Sequence, residues 1–342
     1  MELSFAFLLL TQLGEGAFGK VVKASHTLSH ESNDRSSGWH SVAIKTTAPS
    51  VLDLRGGDRI SSHADVEKHC QEIKTLILLR GEDPDESCVL YLYEYFWTRK
   101  NTPTRGQIHL ITEVLGQELD QWRRSQTTVA ESSVRQIASV IIDALDFMSS
   151  RDVVHRDIKP TNILFRVNGD FNTLKIVDFG LAKILPGGET TKDFCGSLGY
   201  IAPEIYEATA YGVEVDMFAF GCVLFRLLSG ARPFSSPNAE KMRSDTINLT
   251  YTVNGKNWEG ISNKALNLVR KLLIGRQDRL SATQAADHEW FSATHVNSII
   301  RVDFTQSRRE ALINSGLSKV IALVSFFHKS CAPPHYLLVN TY

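Results

Sequence analysis

Two short apolar stretches near the start of the chain are separated by a glycine-rich turn. FLLLTQL at 7–13 and KVVKA at 20–24 have the composition of strands, and GEGAFG lies between them. The β-branched residues directly after the last glycine favour a second strand over a helix. Further strand-like stretches are SVAIKTT at 41–47, CVLYLYEYFW at 88–97 and QIHLITEVL at 107–115.

Helical periodicity begins between these strands and dominates the rest of the chain. From Asp65 onward, Ile73, Leu76 and Leu79 approximate one apolar face, whereas the stretches 26–40 and 48–63 are polar and loop-like. Beyond Leu115 the predicted helices are 132–150, the more uniformly apolar and therefore buried 214–230, 263–273 and 282–290. This order predicts an α+β fold: a small β-rich lobe with one main helix, then a larger, mostly helical lobe, with a cleft at their junction.

Charge and cysteine content narrow the classes of partner and compartment. The 342 residues carry 37 Lys and Arg against 38 Asp and Glu, so no bulk field favours nucleic acid or an anionic membrane, and we expect neither as a partner. The five cysteines are scattered and odd in number, which indicates reduced thiols in an intracellular, cytoplasmic or nuclear, compartment. The apolar run at 5–10 lacks a basic flank and a cleavage site, so a strand is expected there.

The glycine-rich turn by itself leaves four interpretations open. It could be a dinucleotide-binding turn, a near-miss of the phosphate-binding P-loop with Val21 in place of Ser or Thr, a glycine-rich lid over ATP, or a hairpin without a ligand. A dinucleotide turn needs a helix at its last glycine, so the strand that follows counts against it.

A lysine on the third strand suggests a phosphate contact. Lys45 in VAIK follows the glycine turn, and a lysine paired with a helix glutamate can bind the α- and β-phosphates of ATP. Glu72 and Glu67 are both candidates for that glutamate. We favour Glu72 because the apolar spacing continues after it.

The stretch VVHRDIKPTNILF at 153–165 is the most specific in the chain. Asp157 can orient a hydroxyl nucleophile and accept its proton, Lys159 can offset charge on a transferred phosphoryl group, and Asn162 can bind magnesium. Asp178 in LKIVDFG is a second magnesium-ligand candidate.

The chain resembles the protein kinases over roughly residues 7–291, because it contains, in this order, the motifs GEGAFGKV, VAIK, HRDIKPTN, DFG and APE. The resemblance implies the bilobal kinase fold, with a small lobe at about 7–112, a hinge at about 113–118 and a large lobe at about 119–291. Residues 292–342 are then an extension of unknown role. It also implies ATP and Mg²⁺ in the cleft and phosphoryl transfer to a protein hydroxyl.

The same resemblance implies roles for individual residues. Thr112 matches the gatekeeper, Asn162 and Asp178 the magnesium ligands, and Glu204 and Arg279 a buried ion pair. Leu76, Leu92, His155 and Phe179 match the regulatory spine, which Asp216 anchors. The residues implied to bind ATP are Leu13, Gly14, Glu15, Gly16, Ala17, Phe18, Gly19, Val21, Ala43, Lys45, Glu72, Glu113, Leu115, Glu118 and Leu164.

Substrate class and control follow from the loop sequences. Lys159, two residues after Asp157, is typical of serine/threonine kinases, and Ser197 in CGSLGY stands where relatives have a threonine that contacts this pair. The activation loop is the segment between the DFG and APE motifs. Arg156 offers a basic partner to a phosphate on this loop, and Thr190 and Thr191 within it are candidate acceptors for an upstream activating kinase.

The subfamily and two other functions stay open. FCGSLGYIAPEIY resembles calmodulin-dependent and checkpoint kinases, whereas the short EVLGQELDQW resembles cyclin-dependent relatives. The alternatives are a kinase-fold scaffold, or pseudokinase, that acts through partner binding, and a small-molecule kinase of related fold.

Overall fold

The computed structural model describes residues 7–16, 19–26, 41–47, 70–81, 83–85, 87–98 and 107–292. Residues Leu8–Ala293 form one compact unit. Ala17, Phe18, Glu67, most of both loop-like insertions and the extension beyond residue 292 lie outside the described residues.

A five-stranded sheet occupies the first part of the unit, in the order β1-β2-β3-β5-β4. The pairs β2–β3, β3–β5 and β4–β5 are antiparallel, and β3 is buried at its core, with Val42 and Ile44 no more than 5% exposed. The bounds are β1 Phe7–Gly16, β2 Gly19–His26, β3 Val42–Thr47, β4 Leu92–Thr98 and β5 Gln107–Thr112. Four short strands follow outside this sheet: β6 Val153–Val154, β7 Ile163–Phe165, β8 Leu174–Ile176 and β9 Lys183–Ile184.

Helices make up most of the chain after β5. The bounds are α1 Gln71–Leu79, α2 Leu119–Ser125, α3 Glu131–Ser149, α4 Pro203–Tyr206, α5 Glu214–Ser229, α6 Ala239–Ile247, α7 Asn263–Leu272 and α8 Ala282–Ala286. α5 is buried along almost its whole length because α3 packs on one side of it and α7 on another. It ends at Gly230, whose φ of +77° suits a residue without a side chain.

The polar residue Glu131 ties three parts of the helical region together. Its carboxylate accepts hydrogen bonds from Trp290 Nε1 at 2.7 Å and from Ser262 N and Oγ, each at 2.7 Å. Ser262 in turn caps α7, accepting from Ala265 N. The loop before α7 and the end of the domain are therefore both fixed to the start of α3.

The predicted α+β, two-lobed architecture is confirmed, including the strand–glycine–strand opening, α1, α3, α5 and α7. The sequence interpretation missed α2, the single-turn α4 and α6. α6 has only two buried residues, Met242 and Thr246, so it lacks an apolar stripe. Its signal is the Asn238 cap, whose side chain accepts from Lys241 N at 3.1 Å. In the part of the chain described here, no helix combines the length and apolarity that a bilayer crossing needs.

Candidate active site

The sheet places Lys45 in a charged cluster with two carboxylates. Lys45 Nζ lies 2.7 Å from Glu72 Oε1 and 3.0 Å from Asp178 Oδ1. Burial opposes the ammonium charge, but the two carboxylates outweigh it and raise the pKa of Lys45. The three groups come from β3, α1 and the turn after β8, so this cluster links the sheet, its helix and the large lobe at one point.

The loop after β6 has a strained backbone that a buried carboxylate holds in place. Arg156 has a φ of +67°, in the left-handed region that disfavours residues with a side chain. Asp216, on the first turn of α5, accepts hydrogen bonds from His155 N at 2.6 Å and Arg156 N at 2.8 Å. These two charge-assisted bonds offset the strain and fix the backbone position of the next residue, Asp157.

The hydrogen bonds of His155 also determine its tautomer. Nε2 lies 2.9 Å from the carbonyl oxygen of Val177, which can only accept, so Nε2 carries the proton. Nδ1 then accepts from Asp157 N at 3.2 Å. The ring of Phe179 packs edge-on against His155, with centroids 4.9 Å apart, and Leu76 and Leu92 are buried like both rings.

The two carboxylate oxygens of Asp157 have different surroundings. Oδ2 accepts from Lys159 Nζ at 2.7 Å and from Asn162 Nδ2 at 3.0 Å. Oδ1 is buried and has no hydrogen-bond partner among the described residues. Because a buried carboxylate oxygen without a donor is costly, Oδ1 is suited to accept the hydroxyl hydrogen of an incoming substrate.

Asn162 and Asp178 present oxygen atoms that suit a magnesium ion. The amide nitrogen of Asn162 donates to both Asp157 O and Asp157 Oδ2, which leaves its amide oxygen as the ligand atom. The turn Phe179–Leu181 starts from Asp178, which is held at φ +63°. Within the described ranges no three His, Cys, Asp or Glu side chains gather around one point. One carboxylate and one amide oxygen fit Mg²⁺, which commonly takes few protein ligands and completes its shell with water and substrate phosphates.

The connection from β5 to α2 presents backbone groups that could bind a base. Its flanks are fixed, with Gly116 N donating to Phe165 O at 2.6 Å and Glu113 N to Tyr91 O at 3.3 Å. Between them, the backbone groups of Val114 and Leu115 form no hydrogen bond within the described part of the chain. Ala43 lies opposite Thr112 across the β3–β5 pair, so it stands beside this connection.

A buried ion pair fixes the start of the same connection. Lys175 Nζ lies 2.7 Å from Glu113 Oε1, and their side chains are 2% and 4% exposed. Glu113 Oε1 also accepts from Tyr91 N at 2.8 Å. Burial raises the pKa of Glu113 and lowers that of Lys175, while their mutual attraction opposes both shifts. Lys175 was not among the predicted residues, since a lysine on a strand is usually exposed.

The remaining predicted ATP contacts lie on the strands around the cleft. Val21 lies opposite Lys45 in the β2–β3 register, and Leu164 on β7 forms a β-bridge with Glu118. Glu118 is half-buried. Burial is the main cause that raises its pKa, and the negative charge of the neighbouring Asp120 raises it further. Leu13 is 46% exposed on β1. The backbones of Gly14, Glu15 and Gly16 belong to β1 and that of Gly19 to β2.

The segment between Asp178 and Glu204 contacts the loop 155–162, called the catalytic loop below, at two points. Ser197 Oγ accepts from Lys159 Nζ at 2.7 Å, which extends the Asp157–Lys159 contact by one residue. Arg156 Nη1 lies 2.9 Å from Asp193 Oδ2. Of the two candidate phosphate acceptors, Thr190 is exposed and Thr191 is buried, its hydroxyl accepting from Lys183 Nζ at 2.8 Å. Lys183 and Asp193 had no signal in the sequence.

The predicted ion pair of the large lobe joins α4 to the loop before α8. Arg279 Nη1 and Nη2 lie 2.6 and 3.1 Å from the two carboxylate oxygens of Glu204, and Arg279 Nη1 also donates to Glu214 O at 3.0 Å. Both side chains are buried. The pair therefore anchors the end of the segment that carries Ser197 and Asp193.

Comparison with known proteins gives consistent matches. Residues 7–291 match the family described as protein kinase domain. A calcium/calmodulin-dependent protein kinase type IV from Mus musculus is 33% identical over 246 residues, 71% of this chain and 50% of that protein. A probable myosin light chain kinase from Dictyostelium discoideum is 28% identical over 287 residues, 83% of this chain and 66% of that protein. A serine/threonine-protein kinase H1 homolog from Pinctada fucata is 28% identical over 289 residues, 84% of this chain and 62% of that protein. The chain thus spans half to just under two thirds of these curated relatives.

Proposed function

The chain belongs to the protein kinase domain family, and on that premise we propose that it transfers the γ-phosphoryl group of ATP to serine and threonine hydroxyls of protein substrates. The observation that carries this proposal is the difference between the two carboxylate oxygens of Asp157. One oxygen is held by Lys159 and Asn162, and the other is buried without a donor.

In the proposed reaction, the substrate hydroxyl donates its hydrogen bond to Asp157 Oδ1. Its oxygen forms a bond to the γ-phosphorus, the bond from that phosphorus to the β–γ bridging oxygen breaks, and ADP leaves. The hydroxyl proton passes to Asp157 as the new P–O bond forms. Lys159 lies beside the transferred group and offsets its charge, and Lys45 binds the α- and β-phosphates.

Asn162 and Asp178 are proposed to hold Mg²⁺. When bound, the ion neutralises charge on the phosphate oxygens. The adenine is proposed to bind the backbone groups of Val114 and Leu115, with Val21, Ala43 and Leu164 as the apolar walls and Glu118 near the ribose. The glycine-rich turn at 14–19, including Ala17 and Phe18, is proposed to cover the phosphates.

The substrate class rests on the Lys159–Ser197 contact and on the names of the relatives. Lys159 follows Asp157 by two residues, as in serine/threonine kinases, and the relatives include a calcium/calmodulin-dependent protein kinase type IV. A scaffold without phosphoryl transfer has no support, because Lys45, Asp157, Asn162 and Asp178 are all present. Phosphorylation of Thr190 or Thr191 by an upstream kinase stays a prediction.

The test is transfer of radiolabelled γ-phosphate from ATP to peptide libraries with Ser, Thr or Tyr as the only acceptor. We expect the wild-type chain to label the Ser and Thr libraries, EDTA to abolish the labelling, and Asp157→Ala to reduce it to background. Wild-type labelling no greater than that of Asp157→Ala would refute the proposal. Labelling of the Tyr library alone would refute the substrate class.

A further inference from the structure

Two cations in the segment after β8 converge on one carboxylate. Arg156 Nη1 and Lys183 Nζ each lie 2.9 Å from Asp193 Oδ2. The side chain of Arg156 is only 10% exposed, whereas that of Asp193 is 54% exposed. The carboxylate therefore reaches in from the surface to meet a largely buried guanidinium next to the catalytic aspartate.

The fold places the two cations close together independently of any anion between them. Lys183 lies on β9, opposite Val154 of β6, and β6 leads into the loop that contains Arg156. Arg156 is fixed from behind, because its backbone N–H donates to Asp216 and its Nε donates to Leu181 O at 2.6 Å. The positions of these cations are set by strand pairing and by a buried carboxylate.

The backbone around Asp193 is anchored independently of its side chain. Tyr211 Oη donates to Asp193 O at 2.6 Å, and Thr191 exchanges two backbone hydrogen bonds of 2.9 Å with Tyr211. Asp193 N also donates to Thr191 Oγ1, which accepts from Lys183. The Asp193 carboxylate is thus presented by an ordered segment, and it is the acidic group that faces both cations.

This contact is connected to the reaction centre along the chain. Ser197 follows Asp193 by four residues and accepts from Lys159, which contacts Asp157 Oδ2. Two adjacent cations normally require an anion such as a phosphate to hold a loop in one arrangement. Here Lys183 and Arg156 keep the pKa of Asp193 at about 2, so the carboxylate is charged throughout the physiological range.

We propose that Asp193 is a positioning residue that takes the place of an activation-loop phosphate, so that the chain reaches its active arrangement without being phosphorylated. The inference rests on the proposed kinase function. It assigns to the carboxylate the role that the sequence interpretation gave to a phosphate on Thr190 or Thr191. The two assignments make opposite predictions for the fully dephosphorylated chain.

The experiment measures kcat and KM on the full chain after phosphatase treatment, with intact mass confirming that no phosphate remains. We expect dephosphorylated wild type and dephosphorylated Thr190→Ala to be active and similar. Thr191 is left intact because its hydroxyl accepts from Lys183 Nζ and from Asp193 N. Asp193→Asn is expected to lower kcat by at least about tenfold with little change in KM for ATP, because the Lys45–Glu72 contact is untouched. Asp193→Glu is expected to restore most of the loss.

Two further measurements separate positioning from a general loss of charge or fold. Glu189→Gln removes the same charge from an exposed residue four positions away, and its kcat is expected to equal that of wild type. Amide hydrogen exchange over residues 189–197 is expected to be faster in Asp193→Asn than in wild type, at an unchanged unfolding midpoint. This second readout does not depend on activity.

Several outcomes would overturn the inference. Equal kcat for Asp193→Asn and wild type would do so while leaving the kinase function intact. An inactive dephosphorylated wild type that regains activity on phosphorylation would assign the role to a phosphate instead. Wild type no more active than Asp157→Ala, with or without phosphate, would remove the proposed function itself, and this inference with it.

Discussion

Substituting either partner of the buried pair Lys175–Glu113 should destabilise the fold, and the two losses of stability should depend on pH in opposite directions. We consider the single substitutions Lys175→Met and Glu113→Gln and their combination. Each single change leaves the other partner inside the protein. Glu113 then retains Tyr91 N as a donor and Arg166 Nε at 3.8 Å as a more distant cation, and Lys175 retains Pro84 O as an acceptor. Breaking a buried pair from one side costs about 3–5 kcal/mol, more than the pair contributes as a unit.

The group left without its partner can avoid this penalty by changing its protonation state. The free-energy cost of that change is therefore an upper limit on the destabilisation. An amine of ordinary pKa 10.5 costs about 5 kcal/mol to neutralise at pH 7, at about 1.4 kcal/mol per pH unit. A carboxyl of ordinary pKa 4.5 costs about 3 kcal/mol to protonate at the same pH. Glu113→Gln should therefore destabilise by up to about 5 kcal/mol, Lys175→Met by up to about 3, and the double variant by about 1.

Urea unfolding between pH 5 and pH 9 tests the sign of each effect. The orphaned Lys175 of Glu113→Gln loses its proton more easily as the pH rises, so the stability difference from wild type should narrow towards pH 9. The orphaned Glu113 of Lys175→Met gains a proton more easily as the pH falls, so its difference should narrow towards pH 5. Both single variants should also raise KM for ATP, because Glu113 begins the connection that carries Val114 and Leu115.

An exposed ion pair on α6 provides the control. Lys241 Nζ lies 2.8 Å from Asp245 with its side chain 65% exposed, so Lys241→Met should change stability by no more than about 0.5 kcal/mol. The reasoning is refuted if the two single effects at Lys175 and Glu113 simply add in the double variant. Parallel pH dependences of the two single variants would refute it equally.

Three other predictions follow from single contacts. Asp216→Asn should destabilise by about 1–3 kcal/mol and lower kcat, because an amide nitrogen then faces a backbone N–H of the catalytic loop; unfolding and peptide kinetics would show it, and unchanged kcat would contradict it. Burial lowers the pKa of His109 to about 4 from 6.5, so the unfolded chain binds the proton more readily and stability should fall by about 1 kcal/mol from pH 7 to pH 5; a His109→Gln variant should lose this slope. Arg279→Lys should destabilise by about 3 kcal/mol, since an ammonium cannot reproduce the two-point contact with Glu204, and a midpoint within 1 °C of wild type, about 0.5 kcal/mol for a domain of this size, would refute it.

Much of the architecture was predictable because local sequence encodes it. The apolar stripe of α3, the uniformly apolar α5 and the β-branched residues after the glycine turn each require one kind of element, whatever surrounds them. α2 and α6 were missed because they are short and bury few residues, so their periodicity is weak. The start of α6 is fixed by the Asn238 cap, and α2 is held by Asp120, which accepts from Arg226 of α5.

The chemistry was predictable only as a set of residue types. Asp157, Asn162, Asp178 and Lys45 could be named from spacing and resemblance. Which oxygen of Asp157 is left without a donor depends on where Lys159 and Asn162 place their nitrogens. The proton position on His155 likewise depends on a carbonyl 22 residues away in sequence.

The sequence by itself therefore determined the order of strands and helices, the two-lobed class and the candidate catalytic residues. Only the tertiary structure decided that Lys175 is buried against Glu113, and that Asp193 meets Arg156 and Lys183. The physical reason is that periodicity is a local property of the chain. The state of a charged side chain depends on which opposite charges and which apolar surfaces arrive from elsewhere in the fold.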